Sequence, residues 1–265
     1  MEFEDIVYEK PWKIGGAVRI MINRPKALNA FRGKTAGELE VAFRDAVYDD
    51  SVGVIVLTGA GDKAFCVGGD ARDVGPGKAG YSPEMKKIFE VHRYIREAPK
   101  PVIAAVNGWA IGGGHVLHVI CDLTIAAETA RFGQVGPRVG SFDAGFGSAY
   151  LARVVGEKKA REIWFLCRNY SAQEALEMGL VNKVVPADKL EEEAEQWCKE
   201  VLALSPTALR FLKISFNQSS DHIYGIESLA GSGLWQFYTG EEALEGRTSY
   251  MEKRPPDWAK FRKPA

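Results

Sequence analysis

The stretch Pro101-Val102-Ile103-Ala104-Ala105-Val106-Asn107-Gly108-Trp109-Ala110-Ile111-Gly112-Gly113-Gly114-His115 decides how this chain reads. Val102 to Val106 is too continuously apolar for a half-exposed strand, so it reads as one covered on both faces. It runs into a cluster of glycines, which permit positive φ and let backbone N–H groups approach a ligand closely. A helix beginning near Gly113 adds the positive end of its dipole at the same place.

Upstream, Gly53-Val54-Ile55-Val56-Leu57-Thr58 repeats the buried-strand pattern and precedes a second glycine cluster, Phe65-Cys66-Val67-Gly68-Gly69-Asp70. Two such loops can aim two N–H donors at one oxygen, whereas either alone reads equally well as a tight turn. Val18 to Asn23 is a further strand, ended by Arg24-Pro25, and Thr35 to Tyr48 carries Leu39, Ala42, Phe43 and Ala46 at helical spacing. A helix from about Pro83 to Glu97 stops at Pro99-Lys100-Pro101. Strand, helix and strand repeating in this order predict a right-handed βαβ spiral. From about residue 190 the pattern is helical alone: Leu190 to Ala203, Pro206 to Asn217, and a run through Ile226 and Phe237 to Tyr250. We therefore expect an α/β core over residues 1–190 and a helical region over 191–265.

Composition bounds the function classes. Of 265 residues 46% are hydrophobic and 26% charged, with 34 Lys and Arg against 35 Asp and Glu, a formal net charge of -1. That balance removes the long-range field that gathers polyanions, so nucleic acid is not an expected partner. No run of about 18 apolar residues occurs and the first residues, Met1-Glu2-Phe3-Glu4-Asp5, are acidic, so we expect a soluble cytoplasmic protein with no membrane partner. Cys66, Cys121, Cys167 and Cys198 lack metal-ligand spacing and read as reduced thiols. His115 and His118, three residues apart on one helix, have no third ligand nearby and read as packing, so no metal is expected. His92 and His222 read as solvated. A Gly-x-Gly-x-x-Gly fingerprint after the first strand is missing, which argues against a nicotinamide or flavin enzyme; no tightly bound cofactor is expected.

Six pieces in order resemble the crotonase (enoyl-CoA hydratase/isomerase) superfamily along essentially the whole chain. They are Asn23-Arg24-Pro25 with Asn29-Ala30-Phe31, Ala64 to Asp70, Pro99 to Ala104, Ile111 to Gly114, Cys121 to Ala126, and Phe132-Gly133-Gln134. The resemblance implies a ββα spiral core and a C-terminal helical trimerisation region. It also implies a homotrimer or a hexamer built as a dimer of trimers, and an acyl-CoA substrate, with CoA entering only as part of that substrate. Two backbone N–H groups, here Gly69 and Gly113, would hold the thioester oxygen and stabilise an enolate. Carried over as CoA-binding positions are Arg24, Lys26, Ala27, Ala64, Phe65, Gly68 and Asp70, with Lys260 reaching a phosphate in trans. Taken bare, Lys260 is a solvated lysine.

The hydratases of this superfamily use two glutamates, and the matching positions here are Val116 and Gly136, so simple enoyl-CoA hydration is not expected. Instead Gly133-Gln134-Val135-Gly136-Pro137-Arg138-Val139-Gly140-Ser141-Phe142-Asp143 resembles a branch that makes or breaks carbon–carbon bonds in cyclic β-oxoacyl-CoAs. That branch contains 1,4-dihydroxy-2-naphthoyl-CoA synthase (naphthoate synthase) and the 2-ketocyclohexanecarboxyl-CoA hydrolases. Within it the resemblance assigns Asp143 and Ser141 to the reacting carbons, Tyr81 to a lid, and Tyr238 to a neighbouring subunit's helices. Without the resemblance, Asp143 reads equally as a loop carboxylate capping the next helix. In the synthases a glycine matching Gly136, with the residues matching Gln134 and Trp164, leaves room for bicarbonate as a surrogate base. The short Ala71 to Tyr81 segment leans toward the hydrolases, and Gly114-His115-Val116-Leu117-His118 toward the synthases. The favoured expectation is hydrolytic retro-Claisen ring opening. Ring closure of o-succinylbenzoyl-CoA is the alternative, and a non-catalytic CoA-binding scaffold the second.

Overall fold

The computed structural model describes residues 2–73 and 82–262. Its six-stranded sheet runs β1 (Ile6–Glu9), β2 (Ala17–Ile22), β3 (Val54–Gly59), β5 (Val102–Val106), β7 (Leu123–Ala127), β10 (Lys183–Val185). Only the β1–β2 pairing is antiparallel. A four-stranded sheet takes the short strands β4 (Ala64–Cys66), β6 (Trp109–Ile111), β8 (Arg131–Gly133) and β9 (Asn169–Ser171). The helices are α1 (Gly33–Tyr48), α2 (Lys87–Glu97), α3 (Gly113–Ile120), α4 (Leu151–Val155), α5 (Glu157–Leu166), α6 (Ala172–Glu177), α7 (Leu190–Leu202), α8 (Pro206–Gln218), α9 (Ile223–Phe237) and α10 (Glu241–Glu252).

The uninterrupted apolar runs behave as predicted, since β3 and β5 are buried along their whole length. Alternate residues serve two cores. Ile55, Leu57, Val102 and Ala104 share one with Leu39 and Phe43 of α1 and Val91 and Ile95 of α2. Val54, Val56, Ile103 and Ala105 meet Leu190, Ala194 and Cys198 of α7 on the other face. The helical region expected from 191 thus opens with a helix that seals the core sheet. Its later helices fold back over the middle of the chain: a Cβ on Gly246 of α10 would lie 2.4 Å from Gly140 N. All four cysteines are free and buried. No helix among the described residues is long and apolar enough to cross a membrane.

One buried side chain ties the first turn to both sheets. Asn29 sits at φ 57°, a left-handed conformation that Asn tolerates better than most residues. Its Oδ1 accepts from Arg24 N–H at 3.0 Å, and its Nδ2 donates to Ala60 O at 2.9 Å and Ala64 O at 2.7 Å. Asn29→Ala removes all three bonds and leaves buried backbone groups unpaired. We expect it to lower the unfolding free energy in denaturant titration by roughly 2–4 kcal/mol; an unchanged midpoint contradicts this role.

Candidate active site

β4 and β6 pair in parallel, Ala64 beside Trp109 and Cys66 beside Ala110, so the loops leaving their C-terminal ends emerge side by side. The first turns at Gly68 (φ 89°) and the second at Gly112 (φ 56°), both in the region that favours glycine. The loops touch. A Cβ on Gly68 would lie 2.9 Å from Gly113 N, and one on Gly113 would lie 2.7 Å from the Phe31 ring.

Phe31 straps the first loop as a short parallel bridge, its N–H donating to Gly68 O (2.9 Å) and its carbonyl accepting from Asp70 N–H (2.8 Å). In such a pairing the intervening Gly69 N–H points away from Phe31. Gly113 opens α3, where the first N–H groups have no intrahelical acceptor. Both glycines line one cavity of about 120 Å³, walled by Phe31, Phe89, Val116, Trp164 and Trp235. A void of about 150 Å³ takes a benzene ring, so this space is on the scale of a small carbocycle.

The same cavity carries charge. Asp143 Oδ1 accepts from the N–H groups of Gly145 (3.0 Å) and Gly147 (2.9 Å), capping a π-helical turn over Phe146–Tyr150. Between them, Phe146 N–H donates to Glu227 Oε2 at 2.9 Å. Three consecutive amides therefore hold two carboxylates. Glycine flanks Phe146 because a Cβ at 145 would lie 1.7 Å from Glu227 Oε2 and one at 147 would lie 2.6 Å from Asp143 Cγ. His92 Nδ1 is 3.2 Å from Glu227 Oε1, and its Nε2 is buried without a hydrogen-bond partner. Burial pushes the Asp143 carboxyl up, the Glu227 charge adds to this, and the result is about 6. Burial acts the same way on Glu227, but His92 and the Phe146 N–H outweigh it and hold that carboxyl below its ordinary value.

Gly69, Ser141 and Tyr238 line both this cavity and an outer groove of about 540 Å³. Ser141 Oγ and the Tyr238 hydroxyl are 2.7 Å apart. The groove is also lined by Lys26, Ala27, Asp70, Arg72 and Arg247, a set whose cations suit phosphate groups. Buried Asp70 is clamped by Arg72 (Nε to Oδ1, 2.8 Å) and Arg24 (Nη2 to Oδ2, 3.0 Å). Burial works against its ionisation, yet these contacts depress it to about 2.

The cavity thus gathers Gly69, Gly113, Gln134, Gly136, Ser141, Asp143, Trp164 and Tyr238 of the expected residues, and the groove takes Lys26, Ala27 and Asp70. Five residues expected at the CoA site line neither space. Arg24 is spent on Asp70, on the Ala30 carbonyl and, at 3.6 Å, on Asp5. Ala64 and Phe65 are buried in β4, and Gly68 serves as the turn. Lys260 lies in the Ala259–Phe261 turn, 3.9 Å from Glu245 Oε2.

Tyr81 falls outside the described residues. Tyr238, expected from a neighbour's helix, lines this chain's own cavity, just after α9, which contributes Glu227, Gly231 and Leu234 to the same wall. His92 is a further correction, being buried against Glu227 rather than solvated, whereas His222 is exposed. Glu227 had no role in the sequence reading. His115 and His118 pack edge-on at 4.9 Å, as expected.

The residues around Gly136 do not fit a bicarbonate. A Cβ there would meet Ser141 O at 2.7 Å and Trp164 Cζ3 at 3.0 Å. The Trp164 N–H donates to Gly147 O at 2.6 Å, and Gln134 Nε2 donates to His115 Nδ1 at 3.2 Å. Burial pushes the His115 imidazole down to about 3, so it stays a neutral acceptor. Glu227, held in its ionised form, lines the same cavity and would repel the anion.

Comparison with known proteins agrees with this geometry. A sequence profile described as enoyl-CoA hydratase/isomerase matches residues 13–261, and the chain belongs to that family, the crotonase superfamily. Among solved structures it is similar to an enoyl-CoA hydratase from Bacillus anthracis at 33% identity and TM-score 0.75, covering 96% of this chain and 98% of that one. An enoyl-CoA hydratase from Mycobacterium avium subsp. paratuberculosis K-10 gives 26% identity and TM-score 0.85, with coverage of 97% and 99%. An enoyl-CoA hydratase/isomerase from Pseudoalteromonas atlantica T6c gives 25% and 0.85, with 96% and 99%.

The raised Asp143 carboxyl has a consequence for stability. The folded state holds this proton where the unfolded chain has lost it, so the group's contribution is full at low pH and declines as pH rises toward and through about 6. Asp143→Asn carries no such term. Its melting midpoint should gain on that of the wild type between about pH 4 and pH 7; a difference that stays flat, or moves the other way, contradicts the assignment.

Proposed function

We propose that this member of the crotonase superfamily is a cytoplasmic enzyme that opens the ring of a cyclic β-oxoacyl-CoA by hydrolytic retro-Claisen cleavage. The observation that carries the reading is a carboxyl, Asp143, on the wall of a cavity that Gly69 and Gly113 also line. Val116 and Gly136 occupy the positions matched to the hydratases' glutamates, and neither can move a proton. Water adds to the ring ketone; as the bond to the α-carbon breaks, the hydrate gives up one hydroxyl proton to solvent and becomes the carboxylic acid, and the electron pair of the broken bond enters the thioester enolate held by the two glycine N–H groups. Asp143, or Tyr238 beside Ser141, then returns a proton to the α-carbon. CoA lies in the outer groove with its phosphates toward Lys26, Arg72 and Arg247. Ring closure as in the naphthoate synthases is less well served, because the donors for a bicarbonate base are already engaged.

Mass-spectrometric assay separates these reactions. The protein should open 2-oxocyclohexanecarbonyl-CoA, hydrate crotonyl-CoA negligibly and leave o-succinylbenzoyl-CoA unclosed. Asp143→Asn should bind acyl-CoA about as well as the wild type while kcat falls by roughly 10² or more. Rapid crotonyl-CoA hydration, or near-normal turnover by the Asn variant, overturns the reading.

We further propose a homotrimer or a hexamer assembled through the C-terminal helices. On α8, Phe211 and Phe216 are 64% and 76% exposed and Leu212 and Ile214 lie bare beside them, an apolar face that a partner subunit would cover. Sedimentation at micromolar concentration should give a trimer or larger species; an active monomer contradicts this.

A further inference from the structure

We propose that Glu227 and His92 are positioning residues that place the proton on Asp143, making Asp143 the acid of the site while Glu227 stays a standing anion. This rests on the reading above, in which Asp143 protonates the enolate.

On α9 the buried residues Ile223, Glu227 and Gly231 recur every four positions, so a carboxylate occupies a place that the helix period reserves for apolar side chains. On α2 the buried residues Ile88, Val91, His92, Ile95 and Arg96 include an imidazole and a guanidinium in the same way. The imidazole is the one that reaches Glu227, His92 Nδ1 against Glu227 Oε1 at 3.2 Å. A carboxylate only accepts, so Nδ1 carries the hydrogen.

Glu227 uses both oxygens, the other on Phe146 N–H, whereas Asp143 uses only Oδ1, on Gly145 and Gly147. Carboxyl groups on adjacent amides in a largely apolar cavity do not both ionise at low cost, so one holds its proton to a higher pH than the other. The His92 contact settles which: Glu227 gives its proton up and Asp143 retains one.

Other titratable groups face this segment. Arg96 lies 5.7 Å from the Phe146 ring and Tyr224 stands edge-on to that ring at 5.4 Å, while Tyr238 lines the cavity. Glu227 and His92 are the charges that act on the Asp143 proton.

In turnover the Asp143 O–H bond breaks as its proton joins the enolate electron pair in a new Cα–H bond. The carboxylate left behind regains a proton from water before the next cycle.

The test reads the resting enzyme. Side-chain carboxyl ¹³C resonances, with Asp143 identified by its loss in Asp143→Asn, should show Asp143 titrating near 6 in the wild type. Glu227→Gln, which keeps shape and removes charge, should lower that midpoint by about one pH unit or more. His92→Asn should raise the Glu227 midpoint. With a ring-opening substrate, the alkaline limb of kcat/KM should move down with the Asp143 midpoint in Glu227→Gln, and the rate should recover at low pH. A wild-type midpoint in the ordinary carboxylate range, or one unmoved by Glu227→Gln, overturns the proposal whether or not the ring opens. A midpoint that shifts in a protein unable to open the ring sustains the proton assignment and rejects the functional reading.

Discussion

The backbone of Gly68 lies against that of Gly113 more closely than any side chain would allow, and the site depends on that contact. It exists because β4 and β6 run parallel and end together, so their loops leave at one edge. It leaves Gly69 and Gly113 lining one cavity, where in the proposed reaction their N–H groups would hold the thioester oxygen. Removing one such donor typically costs about 3–4 kcal/mol of barrier. Phe31 serves the contact from both sides, strapping the first loop through its backbone and packing its ring where a Cβ on Gly113 would stand.

Elsewhere on the wall of this cavity the fold accepts a local cost. Two carboxyl groups, buried Glu227 and half-buried Asp143, sit beside Phe146, and the chain there uses glycine on both flanks and a π-helical turn rather than a regular helix. Such departures tend to mark functional sites, where stability is given up for chemistry. With its carboxyl raised to about 6, Asp143 holds a proton between about pH 4 and pH 6, where an exposed aspartate has lost it. Arg24 and Arg72, by contrast, drive Asp70 fully into its ionised form, and that residue shapes the groove instead of moving protons.

Much of this was legible in the sequence, and the limits have physical causes. β3, β5, α1 and α2 announce themselves through burial on both faces or a helical stripe, and Gly112 and Gly68 through the need for positive φ. β4, β6, β8 and β9 are three residues each, too short for periodicity to register, although they aim the loops. The expected CoA contacts at Arg24, Ala64 and Phe65 lay beside the groove because core packing and an ion pair claimed those side chains. Tyr238 stands in its own chain's site because α9 folds back, a matter of tertiary path that local pattern does not carry. Glu227 did leave a signal: a lone carboxylate four residues from Ile223 and from Gly231, on a face otherwise without charge.

The most direct measurement of the central claim follows the atoms. Ring opening of 2-oxocyclohexanecarbonyl-CoA should be run in H₂¹⁸O and, separately, in D₂O, with the product placed by mass-spectrometric fragmentation. Retro-Claisen cleavage through a thioester enolate puts ¹⁸O into the newly formed carboxylate and deuterium on the carbon next to the intact thioester. Label appearing instead at the thioester carbonyl, with CoA released and the ring closed, would show that the glycine pair serves plain thioester hydrolysis and would contradict the account.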